Sequence, residues 1–117
     1  MSTSFQKSLA DPVQFACGLT MKNRFMLAPL TNCQSHDDGR LSEDEFHWLT
    51  KRAEGGFGLT MTCAAHVHRA GQGFPGQLGI YSDHLLDGHR RLASAIQSHG
   101  SLAVVQLHHA GMRSPKS

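Results

Sequence analysis

Three stretches of the sequence end in residues that can hold directed hydrogen-bonding groups against a ligand. They are Pro29-Leu30-Thr31-Asn32, Cys63-Ala64-Ala65, and Gln106 with His108 and His109. The set contains no carboxylate and is rich in backbone groups, side-chain amides and a hydroxyl. Such groups suit a neutral heterocycle that needs oriented hydrogen bonds. The Gln106 amide can donate and accept at once; the same capacity also serves a structural hydrogen-bonder at a strand end. Cys33 reads either as a group on the substrate side of such a site or as an inert loop thiol. Cys63 reads as a core thiol.

The chain has nine histidines. His66-x-His68 and the pair His108-His109 could chelate in some geometries. No Cys-x-x-Cys or His-Glu-x-x-His accompanies them, so no metal site is expected. His47, His84, His89 and His99 are expected on helix surfaces or boundaries, and His108 and His109 in a loop beside the ligand. No Gly-x-Gly-x-x-Gly follows the first apolar run, which disfavours a Rossmann dinucleotide site. A P-loop and a Gly-x-Ser-x-Gly elbow are also missing.

These residues need elements to place them. Val13 to Arg24 holds two short apolar stretches around Gly18, which predicts a small hairpin. Phe25-Met-Leu-Ala-Pro-Leu30 is a continuous apolar run, as expected of a strand buried on both faces and ended by Pro29. Thr31 to Leu41 is a polar loop with a turn at Asp38-Gly39. Ser42-Glu-Asp-Glu45 is a capping box, with Ser42 accepting from the chain three residues on and Glu45 reaching back. Phe46, Leu49 and Ala53 form one helical stripe, and Gly55-Gly56 stops the helix.

Leu59-Thr-Met-Thr-Cys63 predicts a second strand, and residues 64–80 a long Gly-rich loop, a length that often signals function. Ser82 is the expected N-cap of a second helix reaching about His99, with Leu85, His89, Leu92 and Ile96 on one face and Gly100 beyond it. Leu102 to Leu107 is a third apolar strand. Trp48 and Phe46 are expected to pack the first helix, Arg90-Arg91 to lie on a solvated helix face, and Tyr81 to be structural. Strands alternating with helices imply a parallel sheet with right-handed crossovers. An α/β barrel and a doubly wound sheet both begin this way. In either, ligands bind at the carboxyl ends of the strands, where the residues named at the outset fall. A flavin is one heterocycle that such groups would suit.

Composition narrows the setting. The 117 residues carry eleven basic and nine acidic side chains, scattered, for a net charge of +2. No basic stripe suggests nucleic acid. Three widely spaced cysteines argue against a disulfide framework and fit a reducing compartment. Residues 1–12 read as a flexible leader without the apolar stretch of a secretory signal. No apolar run approaches the roughly 20 residues of a membrane helix. A soluble cytoplasmic protein with a small-molecule substrate is expected.

The motifs become specific together. Lys22-Asn-Arg-Phe-Met-Leu-Ala-Pro-Leu-Thr-Asn32 resembles the first barrel strand of the Old Yellow Enzyme family of NADH:flavin oxidoreductases. Lys51-Arg-Ala-Glu-Gly-Gly-Phe-Gly-Leu59, extended to Ala64, resembles the first helix end and second strand of that family. Gln72-Gly-Phe-Pro-Gly-Gln-Leu-Gly-Ile-Tyr-Ser-Asp83 resembles the loop that follows, and Val105-Gln-Leu-His-His-Ala-Gly111 the third strand. The resemblance implies an N-terminal hairpin and about three βα units of a TIM (β/α)8 barrel across residues 13–117, with FMN at the strand ends. It implies backbone contacts to the isoalloxazine from Pro29, Leu30 and Ala64. It also implies a Thr31 hydrogen bond near the reactive edge of the flavin, where it tunes the potential, and a Gln106 contact to the pyrimidine end. The implied activity takes hydride from NADH or NADPH onto FMN and delivers it to an activated alkene or similar acceptor.

The same resemblance marks what lies elsewhere. The substrate-gripping His/Asn or His/His pair, the tyrosine proton donor and the phosphate loops of the family fall outside these residues. Where the family often reads His-Ala-Gly-Arg, this chain has His109-Ala-Gly-Met112 and then Arg113. A whole barrel needs about 250 residues or more. Three parallel strands alone would leave the barrel interior and a sheet edge uncovered. The alternative expectation is therefore a truncated, non-catalytic barrel piece that binds flavin at most in part. Such a piece would survive by self-association or by completion with the missing C-terminal part.

Overall fold

The computed structural model describes residues 8–115. The expected leader spans residues 1–12, of which 1–7 lie outside the described residues. Ser8 and Asp11 close a turn, and the Leu9 carbonyl accepts from the Arg24 N–H at 2.8 Å. β1 (Val13–Gln14) and β2 (Thr20–Met21) pair antiparallel around Gly18, whose φ of +94° suits a residue without a Cβ.

The rest is one parallel sheet with helices on one side. β3 (Met26–Leu27) leads to α1 (Glu43–Glu54), β4 (Leu59–His66), α2 (Leu86–Ser98) and β5 (Leu102–His108). The spatial order is β3-β4-β5, with β4 central. Leu27, Leu49, Ala53, Leu92 and Ile96 form the core between sheet and helices, with Ala103 packed on it. A second cluster of Cys63, Ala65 and Leu78 lies further along the strands. Burying a Leu such as Leu49 contributes roughly 2 kcal/mol through removal of apolar surface from water.

α1 forms as its sequence requires. The Ser42 hydroxyl accepts from the Glu45 N–H at 3.1 Å, Glu43 and Asp44 sit in the first turn, Lys51 and Arg52 in the last, and Gly56 at φ +117° follows the end. α2 begins differently from expectation. Ser82 caps a single 3₁₀ turn (Asp83–Leu85) rather than the α-helix itself, and makes no side-chain cap bond; its hydroxyl pairs with His84 Nδ1 at 3.0 Å. Arg91 is not simply solvated. It pairs with Glu43 of α1 at 3.0 Å and stacks 3.8 Å above the Phe46 ring, so it ties the two helices together.

The first strand is shorter and more open than its apolar run suggests. Only Met26 and Leu27 pair with β4, and only Leu27 is buried; Phe25, Met26 and Leu30 are 47%, 49% and 48% exposed. The physical reason is that helices cover one face alone. Met26 pairs with Leu59 and Leu59 with Leu102, so these alternate with the helix-facing Leu27, Thr60 and Ala103. The face opposite the helices is uncovered, and no barrel closes. Among the described residues no helix is long and apolar enough to cross a membrane.

Candidate flavin site at the strand ends

β4 carries an irregularity that decides which residues meet. Met61 is opposite Val104, yet Ala64 is opposite Gln106, so β4 uses one residue more than β5 over this interval. Thr62 and Cys63 are consequently both buried. The Thr62 hydroxyl accepts from the Gln106 N–H at 3.3 Å and donates to the Cys63 carbonyl at 2.7 Å, replacing the ladder bonds that the bulge removes. Without the bulge, Cys63 would stand beside Gln106. With it, Ala64 does, on the uncovered face.

The five residues expected to contact flavin are thus placed at the carboxyl ends of adjacent parallel strands. Pro29, Leu30 and Thr31 follow β3, Ala64 lies near the end of β4, and Gln106 near the end of β5. Ala64 and Gln106 are direct neighbours in register. Thr31, Leu30 and Gln106 are exposed, and the side chains of Thr31 and Gln106 make no hydrogen bond among the described residues. The Ala64 carbonyl accepts from Gln77 Nε2 at 2.9 Å. The exposed Thr31 hydroxyl beyond the end of β3 and the exposed Gln106 amide on the open sheet face, both without partners among the described residues, suit the donors and acceptors of a flavin ring.

Two buried polar residues brace these strand ends, and both were missed in sequence. Glu45 is fully buried and does not reach back to the Ser42 N–H as a capping box would. Its carboxylate accepts from Asn32 Nδ2 at 3.3 Å, from the Ser35 hydroxyl, and from the Cys63 thiol at 2.8 Å. Its signal was present: Glu45, Leu49 and Ala53 follow a spacing of four along the buried face of α1. Gln77 is also fully buried. Its Oε1 accepts from the Gly73 N–H at 2.7 Å, and its Nε2 lies 3.1 Å from His108 Nδ1 besides holding Ala64. Loop residues carry no periodicity, so nothing in sequence singled it out.

Cys63 is core, as expected. Burial pushes its thiol well above the ordinary range, and the neighbouring Glu45 carboxylate adds to that by charge and hydrogen bonding. It is a proton donor to Glu45, not a nucleophile. Cys33 is exposed, and its φ of +53° is unusual for a residue with a Cβ.

The histidines divide. His66 belongs to β4, which runs three residues past its expected end at Cys63; it is 2% exposed and its Nδ1 meets the Leu78 carbonyl at 2.9 Å. His108 closes β5, and His109 follows it. His89 bonds the Gly79 carbonyl at 2.7 Å, and Tyr81 donates to the Asp38 carbonyl at 2.8 Å, a structural role. Among the described residues no group of three His, Cys, Asp or Glu is placed to hold a metal ion. A cavity of about 470 Å³ lies between the loops after β3 and β4, lined by Asp37, Asp38, His66, His68, Arg69 and Tyr81 among others. None of the five expected flavin contacts lines it. Met112 and Arg113 are both exposed in a 3₁₀ turn.

The model of the NADH:flavin oxidoreductase / NADH oxidase family matches residues 8–117. The chain belongs to that family. It is 40% identical over 109 residues to the "Probable NADH-dependent flavin oxidoreductase YqiG" of Bacillus subtilis (strain 168), covering 93% of this chain and 29% of that protein. Among solved structures, an old yellow enzyme homologue from Zymomonas mobilis superposes with a TM-score of 0.80 at 32% identity, over 88% of this chain and 28% of that one. A 2-naphthoyl-CoA reductase in complex with 2-naphthoyl-CoA superposes with a TM-score of 0.87 at 28% identity, over 92% of this chain and 16% of the other. This chain therefore spans less than a third of each of these relatives. FMN is the cofactor of this family and NAD(P)H its reductant. The parallel strands, the hairpin before them and the helix order are the opening portion of an Old Yellow Enzyme barrel.

Proposed function

We propose that this chain supplies the first part of the FMN site of an NAD(P)H-dependent oxidoreductase that reduces an activated alkene or a similar acceptor. Bound FMN supplies the hydride relay between the nicotinamide and the acceptor. The residues here bind and orient it: Pro29, Leu30 and Ala64 through backbone atoms, Gln106 at the pyrimidine end, and Thr31 beside the reactive edge. The observation that carries this reading is the bulge in β4, which brings Ala64 into register with Gln106 on the uncovered face. Three free cysteines support a reducing, cytoplasmic setting. The test is an absorbance spectrum of the full chain after incubation with FMN and desalting. The expected result is a retained flavin band, weakened in Gln106→Ala and Thr31→Ala. A folded chain that keeps no flavin overturns the reading.

A second reading is favoured by the apolar groups on the sheet. On the open face Met26 and Val104 are 49% and 36% exposed, and Leu30 just past β3 is 48% exposed, a surface that water does not suit. On this reading the chain associates through that surface, with further barrel units or with itself, and turns over no substrate alone. Sedimentation at increasing concentration tests it, with a constant monomer mass as the contrary result.

A further inference from the structure

We propose that Glu45 is a positioning residue for the flavin site, acting through Asn32 and Ser35 on the segment that carries Thr31. This rests on the flavin reading above. A fully buried glutamate is rare because its charge must leave water, and it persists where donors replace the lost hydration. Here the donors come from two places. Asn32 and Ser35 belong to the segment leaving β3, and Cys63 to the bulge of β4. Glu45 also lies in the first turn of α1, where the helix dipole favours a carboxylate.

The segment 31–35 is shaped by this anchor. Asn32 gives Nδ2 to Glu45 while its Oδ1 accepts from the Gln34 N–H at 3.1 Å. Cys33 between them takes φ +53°, a conformation that costs about 1 kcal/mol or more without support. On the other side the Ser35 N–H donates to the Gly76 carbonyl at 3.0 Å, and a Cβ on Gly76 would meet the Cys33 carbonyl oxygen at 2.5 Å. The turn is therefore held on one side by the Glu45 carboxylate and on the other by a glycine backbone. Asn32 is clamped toward α1, and the adjacent Thr31 is exposed. Where Thr31 stands, and how firmly, follows from the Asn32 and Ser35 clamp. The capping-box reading of Ser42 to Glu45 concealed this role, because the side chain turns inward instead of back along its own helix.

The test uses the full chain with FMN and compares wild type, Glu45→Gln, Asn32→Ala and Thr31→Ala. Three quantities are read: hydrogen exchange at the Gln34 and Ser35 amides without flavin, FMN affinity, and the visible absorption maxima of bound FMN. Glu45→Gln keeps the shape but presents an NH₂ to groups that are themselves donors. It is expected to speed exchange at both amides, to weaken FMN binding on the order of tenfold as a charge-assisted hydrogen bond is lost, and to shift the flavin band. If Glu45→Gln does not fold, Asn32→Ala, which leaves the carboxylate and its other donors in place, is expected to give the same changes at smaller size. Combining Asn32→Ala with Thr31→Ala should cost less than the sum of the two, since both act on one contact. Variants that match wild type in flavin affinity and spectrum, or strictly additive losses, overturn the positioning role. A wild-type chain that binds no FMN overturns the flavin reading itself, a distinct outcome seen before any variant is made.

Discussion

The two faces of the three-stranded sheet are built from the same alternating apolar strands and end up in opposite conditions. On the helix side, Leu49 and Ala53 of α1 and Leu92 and Ile96 of α2 press onto Leu27, all of them buried. On the other side Met26 and Val104 are exposed and lead toward Thr31, Ala64 and Gln106 at the strand ends. The helix face supplies stability through removal of apolar surface from water. The open face supplies hydrogen-bonding groups without partners, held in place by buried polar braces underneath. On the proposed flavin reading, stability and recognition reside on opposite sides of one layer, and substitutions should separate them.

The largest separation is expected between Leu49 and Val104. Leu49→Ala leaves a cavity in the core and should cost about 2–5 kcal/mol in urea unfolding. Val104→Ala, on the open face, should cost less than about 1 kcal/mol. Equal losses would mean that the open face is covered in solution. Next comes Gly76→Ala. Its φ of +80° and the tight approach to Cys33 predict a loss of about 1–3 kcal/mol in the same measurement. Because the strain falls on the turn after β3, flavin binding should weaken with it.

Gln106→Ala should behave in the reverse way. The side chain is exposed, so the thermal midpoint should stay unchanged while FMN affinity drops about tenfold, the worth of a lost hydrogen bond or two. A stability loss without an affinity loss would make Gln106 structural. The smallest effect concerns Glu43. Arg91 beside it, by hydrogen bond first and charge second, holds its carboxyl below the ordinary 4.5. A folded-state value below the unfolded one gives stability that is present above 4.5 and fades as pH falls through the lowered value. Glu43→Gln should therefore change thermal stability slightly at neutral pH and not at all at a pH well below 4.5. The pair is exposed, so salt should erase the difference.

Much of this architecture was legible because local chemistry and tertiary packing agree. Gly18, Gly39, Gly56 and Gly100 all take positive φ where turns or helix ends were expected, and Ser42 caps α1. Leu92 and Ile96 form the buried face of α2, and Leu85 is buried in the 3₁₀ turn before it. The strand ends carrying Thr31, Ala64 and Gln106 followed from element order alone. What was not legible depends on contacts between distant segments. The bulge at Thr62–Cys63 is set by Gln106 across the sheet, so it left β4 reading short. The apolar run Phe25–Leu30 suggested two buried faces, because composition cannot tell a covered face from an open one. Glu45 matched a capping box by type and spacing, and only the donors converging from Asn32, Ser35 and Cys63 turned it inward. Gln77 has no local signature at all, since its partners Ala64 and His108 lie on two different strands.

The central claim, that the open face and not the helix face or the loop cavity receives the cofactor, is tested most directly by amide hydrogen exchange of the full chain with and without FMN. The account predicts slowed exchange confined to residues 30–35, to Ala64 and its neighbours, and to residues 106–109. Protection centred instead on the loop lined by His68, Arg69 and Tyr81, or on α2, would contradict it.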